Sequence, residues 1–197
     1  MTSVADIRGL LLVGGKSSRM GTDKAWLNVH GEPQYLHMIR LMKPLVSEVY
    51  LSSRPEQESQ YPTLDAIHVS DHPDFSGPLG GILSAFQQHP ESAWLVLACD
   101  LLLVDELVLG QLLEARDPRA DATCYVSPFD GLPEPLIAIW EPSVLPKARE
   151  LAGLGIQCPR KVLMNSKTIN LQPRNPEKLG NFNTPEELQR LISAHHR

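Results

Sequence analysis

Gly14 and Gly15 close an apolar run, and Lys16, Arg19 and Lys24 follow in the same stretch, LLLVGGKSSRMGTDKAWL, Leu10 to Leu27. Glycines let backbone N–H groups come close to phosphate oxygens, and a nest of such amides binds anions. An arginine can fork onto two phosphate oxygens, while a lysine supplies a compact point charge. The ingredients therefore suit a polyphosphate. The stretch is not a Walker A loop, because no Gly-Lys-Ser/Thr closes it, and it is not the GxGxxG dinucleotide fingerprint. A solvated basic surface loop is the plainer alternative. Further along, Asp71 follows AIHVS and Asp100 follows AWLVLAC. Each is a carboxylate at the end of an apolar run, where it could meet a metal or ligand, or could serve only as a turn or capping residue.

These residues need a scaffold. Gly9 to Val13 reads as a buried strand of a parallel sheet. Gln34 to Leu45 has helical apolar spacing at Leu36, Ile39, Met42 and Leu45. EVYLSS, AIHVS and AWLVLACD read as the next three strands. GPLGGILSAFQQH is a helix with Pro78 near its start. DELVLGQLLEAR is a helix capped by Asp105. DATCYVS, EPLIAIW and TINLQ are later strands, and PSVLPKARELAG is a helix stopping near Gly153. NTPEELQRLISAHH is a last helix, capped by Thr184, with Pro185 first and Glu187 at the capping-box position. RPEQESQYP, Arg54 to Pro62, is polar and flanked by proline, so it reads as a surface connection. Strands alternating with helices predict an α/β fold, mostly parallel, with helices on both faces. Ligands of such sheets sit at the carboxyl ends of the strands. Gly14 and Gly15, Ser52 and Ser53, Asp71 and Asp100 all fall there.

The bulk numbers narrow the class. The chain has 197 residues, 42% hydrophobic and 21% charged, which suits one globular domain over residues 1–197. A net charge of −5 argues against nucleic acid as a partner. No apolar run is long enough to cross a membrane, and MTSVADIRG lacks the order of a signal peptide. Cys99, Cys124 and Cys158 are odd in number and far apart, which favours free thiols in a reducing cytoplasm. The seven histidines show no metal spacing.

LLVGGKSSRMGTDKAWL resembles the signature loop of nucleotidyltransferases, which read roughly L-A-G-G-x-S-x-R-M-G-x-D-K, and is most similar to that of the molybdenum cofactor guanylyltransferases. The resemblance extends over nearly the whole chain, through SDHPDFSGPLGGILSAF, LVLACD, EPLIAIW and NFNTPEEL. It implies a single-domain, Rossmann-like nucleotidyltransferase fold. It implies an enzyme that takes GTP and molybdopterin cofactor, with Mg²⁺, and gives the guanine dinucleotide and pyrophosphate. Residue by residue, Leu12, Val13 and Gly14, with Gly15, would line guanine and ribose. Arg19 and Lys24 would hold the triphosphate. Ser52 or Ser53 would stand where relatives carry an asparagine. Asp71 would accept from the guanine edge or the ribose, and Asp100 would bind Mg²⁺. Asn183, with Asn181, would complete the metal or phosphate site. Arg160 and Lys161 stand where the family presents basic residues to its acceptor, although they also read as a solvated pair. Val13 departs from the family's usual alanine. Transfer from CTP, a sugar- or polyol-phosphate acceptor, and a non-catalytic nucleotide-binding protein of the same fold remain alternatives. Transient contacts with proteins that deliver or receive the cofactor stay open.

Overall fold

The computed structural model describes residues 5–13, 23–71, 74–75 and 77–180. Strands β1 (Ile7–Leu12), β2 (Val49–Ser53), β3 (Ile67–Ser70), β4 (Ala93–Ala98), β5 (Ala122–Val126), β6 (Pro133–Trp140) and β7 (Thr168–Leu171) form one sheet in the order β3-β2-β1-β4-β6-β5-β7. Pairings are parallel from β3 through β4 and between β5 and β7. Only β6 runs against its neighbours. The mostly parallel sheet expected from the alternation of elements is present, and the reversed strand is EPLIAIW, whose direction periodicity cannot report.

Helices α1 (Gln34–Met42) and α3 (Glu106–Glu114) cover one face; α2 (Pro78–Gln88), α4 (Leu145–Gly153) and α5 (Pro159–Met164) cover the other. Alternate residues of each central strand enter opposite cores. Leu11, Leu51, Leu95 and Leu97 pack with Met38 and Met42 of α1, while Leu10, Tyr50, Trp94 and Val96 pack with Ile82 and Phe86 of α2. Asp105 caps α3 as expected, accepting from the Val108 N–H at 3.0 Å. α5 was not anticipated; it is a six-residue helix opened by Pro159. The connection from Arg54 is more ordered than its polarity suggests. Pro55–Gln60 forms a 3₁₀ helix, and Tyr61 beyond it is fully buried. The last helix expected at 183–196 lies outside the described residues. Among the described residues no helix is long and apolar enough to cross a membrane.

His37 of α1 gives the fold an acid-sensitive point. Its ring is buried, stacks on His30 at 3.8 Å, and lies beside Arg40 at 3.0 Å and Glu32 at 3.5 Å. Burial, then the charges of His30 and Arg40, push its pKa from 6.5 down to about 4, against the opposing pull of Glu32. The neutral ring is the form that the fold accepts. Unfolded chains bind the proton below about 6.5, so stability is complete above that pH and falls as pH drops towards about 4. The expected loss is on the order of 3 kcal/mol. Urea denaturation of wild type and His37→Gln at about pH 7 and about pH 4.5 checks this, with a smaller acid loss expected in the variant. Equal losses would assign the acid sensitivity to other groups.

Candidate functional site

The carboxyl ends of β1, β2, β3 and β4 lie side by side, because β1 is flanked by β2 and β4 in parallel register. Two groups of side chains gather there, one towards each layer of helices.

Towards α2, Leu12 ends β1, Ser52 stands next to last in β2, whose final residue is Ser53, and Asp71 follows β3. Both serines are buried inside the strand rather than beyond it. The Ser52 hydroxyl donates to Asp71 Oδ1. Burial raises the Asp71 carboxyl above its ordinary range, and the Ser52 bond opposes the rise. Gly81 of α2 closes this corner. A methyl group there would collide with Ser52 Oγ and come within 2.8 Å of Leu12 Cδ2 and 3.2 Å of Asp71 Oδ1. The last glycine of GPLGG therefore lets the helix approach the strand ends. Val13 faces the other way. Its side chain is buried against the α1 core and its N–H donates to the Ser52 carbonyl at 2.9 Å. Contact between Val13 and a ligand would be through main chain, so the exchange of alanine for valine in the loop is absorbed by the core.

Towards α1, Asp23 caps a short 3₁₀ turn, Lys24–Trp26, accepting from the Ala25 N–H at 3.0 Å. Lys24 on that turn places Nζ 3.5 Å from Asp100 Oδ2. Asp100 stands two residues past β4, and the Cys99 N–H anchors this exit to the Leu12 carbonyl at 3.1 Å. The two side chains are 19% and 33% exposed, so the pair is reachable from solvent. The distance exceeds the 2.7–2.9 Å of a tight charge-assisted bond. Sequence placed Lys24 and Asp100 in one site; the structure adds that they face each other.

Arg160 is partly exposed and ion-paired rather than only solvated. Its guanidinium bridges Asp130 at 2.8 Å and Glu134 at 3.0 Å. Because β6 runs antiparallel, Glu134 near its start lies at the same edge of the sheet as Asp100. Lys161 is exposed. Gly14, Gly15, Arg19, Asn181 and Asn183 lie outside the described residues. Sequence reasoning missed Asp23, Tyr61 and Gly81. Asp23 carried a signal as a capping type before a turn. Tyr61 carried none, since it sits in a polar run.

Similar proteins share this framework. In the crystal structure of molybdopterin-guanine dinucleotide biosynthesis protein A from Archaeoglobus fulgidus, a fold with TM-score 0.76 covers 96% of this chain and 98% of that one, at 22% identity. Molybdenum cofactor guanylyltransferase from Pseudomonas aeruginosa PAO1 is 35% identical over 185 residues, 91% of each protein. The molybdenum cofactor biosynthesis bifunctional protein of Synechocystis is 34% identical over 94% of this chain, which spans 53% of that longer relative. The model of the MobA-like NTP transferase domain matches residues 9–169. With that match over the strands that carry Leu12, Ser52, Asp71 and Asp100, the chain belongs to the MobA-like NTP transferase domain family.

Proposed function

We propose that this chain transfers GMP from GTP to the phosphate of molybdopterin cofactor, giving the guanine dinucleotide and pyrophosphate. The observation that carries the reading is the Lys24–Asp100 pair, 3.5 Å apart, which joins the 3₁₀ turn Lys24–Trp26 to the exit of β4, in a chain 35% identical to a guanylyltransferase along nearly its whole length. An oxygen of the acceptor phosphate attacks the α-phosphorus of GTP, the bond to the bridging oxygen breaks, and pyrophosphate leaves with that oxygen. The nucleophile is already an anion near neutral pH, so the site needs positioning and charge neutralisation more than a strong base. Lys24, with Arg19, supplies positive charge for the phosphates. The Leu12, Ser52, Asp71 and Gly81 corner receives the nucleoside, where the Asp71 carboxylate accepts from donors on ribose or guanine.

Asp100 also fits a magnesium site. Its carboxylate is a hard oxygen donor, partly exposed and at a strand end. Among the described residues no group of three or more His, Cys, Asp or Glu could hold a metal alone. That suits an ion held by one or two carboxylates and otherwise by phosphate oxygens and water. Magnesium, when bound, would neutralise charge on the phosphates. The free thiols of Cys99, Cys124 and Cys158 support a reducing cytoplasm as the place of action.

The test is pyrophosphate release with each of the four NTPs and Mg²⁺, with and without molybdenum cofactor. Release is expected with GTP and cofactor together, and only weakly with CTP or ATP. Guanine presents a donor edge, and a buried donor or acceptor left unmatched is costly. The pair Gly14-Gly15 carries no Cβ, which favours the larger purine over a pyrimidine. Faster turnover with CTP would overturn the guanylyl assignment; turnover with a sugar or polyol phosphate in place of the cofactor would overturn the acceptor.

A further inference from the structure

The Tyr61 hydroxyl donates to Asp23 Oδ2, while the other oxygen of that carboxylate accepts from Ala25 N–H at 3.0 Å. One carboxylate thus ties the turn carrying Lys24 to the connection between β2 and β3. Tyr61 is itself held on several sides. It is fully buried, its ring meets Tyr35 edge-on at 5.6 Å, and Tyr35 donates to the Pro62 carbonyl at 3.0 Å. Trp26 on the turn meets the same Tyr35 edge-on at 5.3 Å. The turn is thereby locked to a rigid aromatic group at two points, the Asp23 carboxylate and the Trp26 ring. Lys24 lies between those two points, with its ammonium reaching Asp100. Tyrosine is well suited to this place, since a buried hydroxyl needs a partner and a carboxylate is a strong acceptor.

We infer that Tyr61 is a positioning residue for the nucleotide site: through Asp23 it fixes the turn that aims Lys24 at Asp100 and at the phosphates. It touches no substrate and acts only through Lys24. The role in nucleotide binding rests on the reading given above; the effect on Lys24 itself does not.

The test separates the two. In Tyr61→Phe the ring packing is kept and only the hydroxyl is lost. Trace acetylation with acetic anhydride, read by peptide mass spectrometry, reports Lys24 directly against the exposed references Lys43 and Lys161. Lys24 labelling is expected to rise about threefold or more relative to both references as the turn loosens, since an anchor bond to a charged group is removed. Asp23→Asn keeps an acceptor for Ala25 and should shift labelling in the same direction by less. Calorimetric titration with GTP and Mg²⁺ is expected to show affinity about tenfold weaker in Tyr61→Phe, the scale of one such bond. In a Lys24→Ala background the same change should cost nothing further, because its route is gone. Lys24 labelling unchanged in a folded Tyr61→Phe protein would overturn the inference. So would a tenfold penalty that persists in full without Lys24, which would mark a merely structural hydroxyl. A wild type that binds no nucleotide would overturn the proposed function, and the labelling comparison would still decide the role of Tyr61.

Discussion

Replacing Asp100 with alanine is expected to reduce turnover by at least about 10³-fold while the protein stays folded. Removing a single preorganised electrostatic group costs 10²–10³ in kcat as a rule. Here one change removes two functions. The carboxylate is the candidate magnesium ligand, and it is a partner of Lys24 Nζ at 3.5 Å. Without it the ammonium loses one of the groups that aim it before substrate arrives. Stability should barely move. A partly exposed ion pair at that distance contributes about 0–1 kcal/mol. For a chain of this length that is a shift of about 2–4 °C in Tm at most. Pyrophosphate release and a thermal melt on the same preparation therefore suffice. A folded variant with near-normal turnover would take Asp100 out of the mechanism, and a variant that fails to fold would make it a structural residue.

Replacing Glu141 with alanine is expected to do the reverse, costing about 3–5 kcal/mol of stability. Glu141 follows β6, at the opposite end of the sheet from the site, and its side chain is 2% exposed. Arg116, just past α3, forks onto it with bonds of 2.6 Å and 3.0 Å and also donates to the Ala5 carbonyl at 2.9 Å. The pair joins the exit of α3, the end of β6 and Ala5, two residues ahead of β1. Two ions taken from water are stable there only because each satisfies the other. Deleting one leaves the other charged, buried and short of partners, which costs more than the pair contributes. Typical domains have only about 5–15 kcal/mol in total. Urea denaturation gives the loss directly. The double variant Arg116→Met/Glu141→Leu should recover most of it, since no unpaired charge remains. A loss below about 1 kcal/mol in Glu141→Ala would show that water or another group compensates Arg116. The folded fraction should still bind nucleotide as wild type does, which separates this change from the one at Asp100.

By itself the sequence determined the local chemistry and most of the elements. Apolar runs such as AWLVLA and the spacing in QYLHMIRLM specify strand and helix because burial selects periods of two and 3.6. Asp105 was legible as a cap because the capping bond lies within three residues. Alternation of strand and helix implied parallel order, and parallel order implied that Leu12, Ser52, Asp71 and Asp100 would meet at one edge. The tertiary structure alone decided what depends on partners distant along the chain. The reversal of β6 is one such matter, since a buried strand reads the same in either direction. The facing of Lys24 and Asp100, 76 residues apart, is another. So are the bridge from Arg160 to Asp130 and Glu134, which gives ion-pair partners to a residue that sequence would leave solvated, and the burial of Tyr61 within a polar connection. In each case the contact forms only after the chain has closed on itself, and its strength depends on local burial and on a partner that no local window contains.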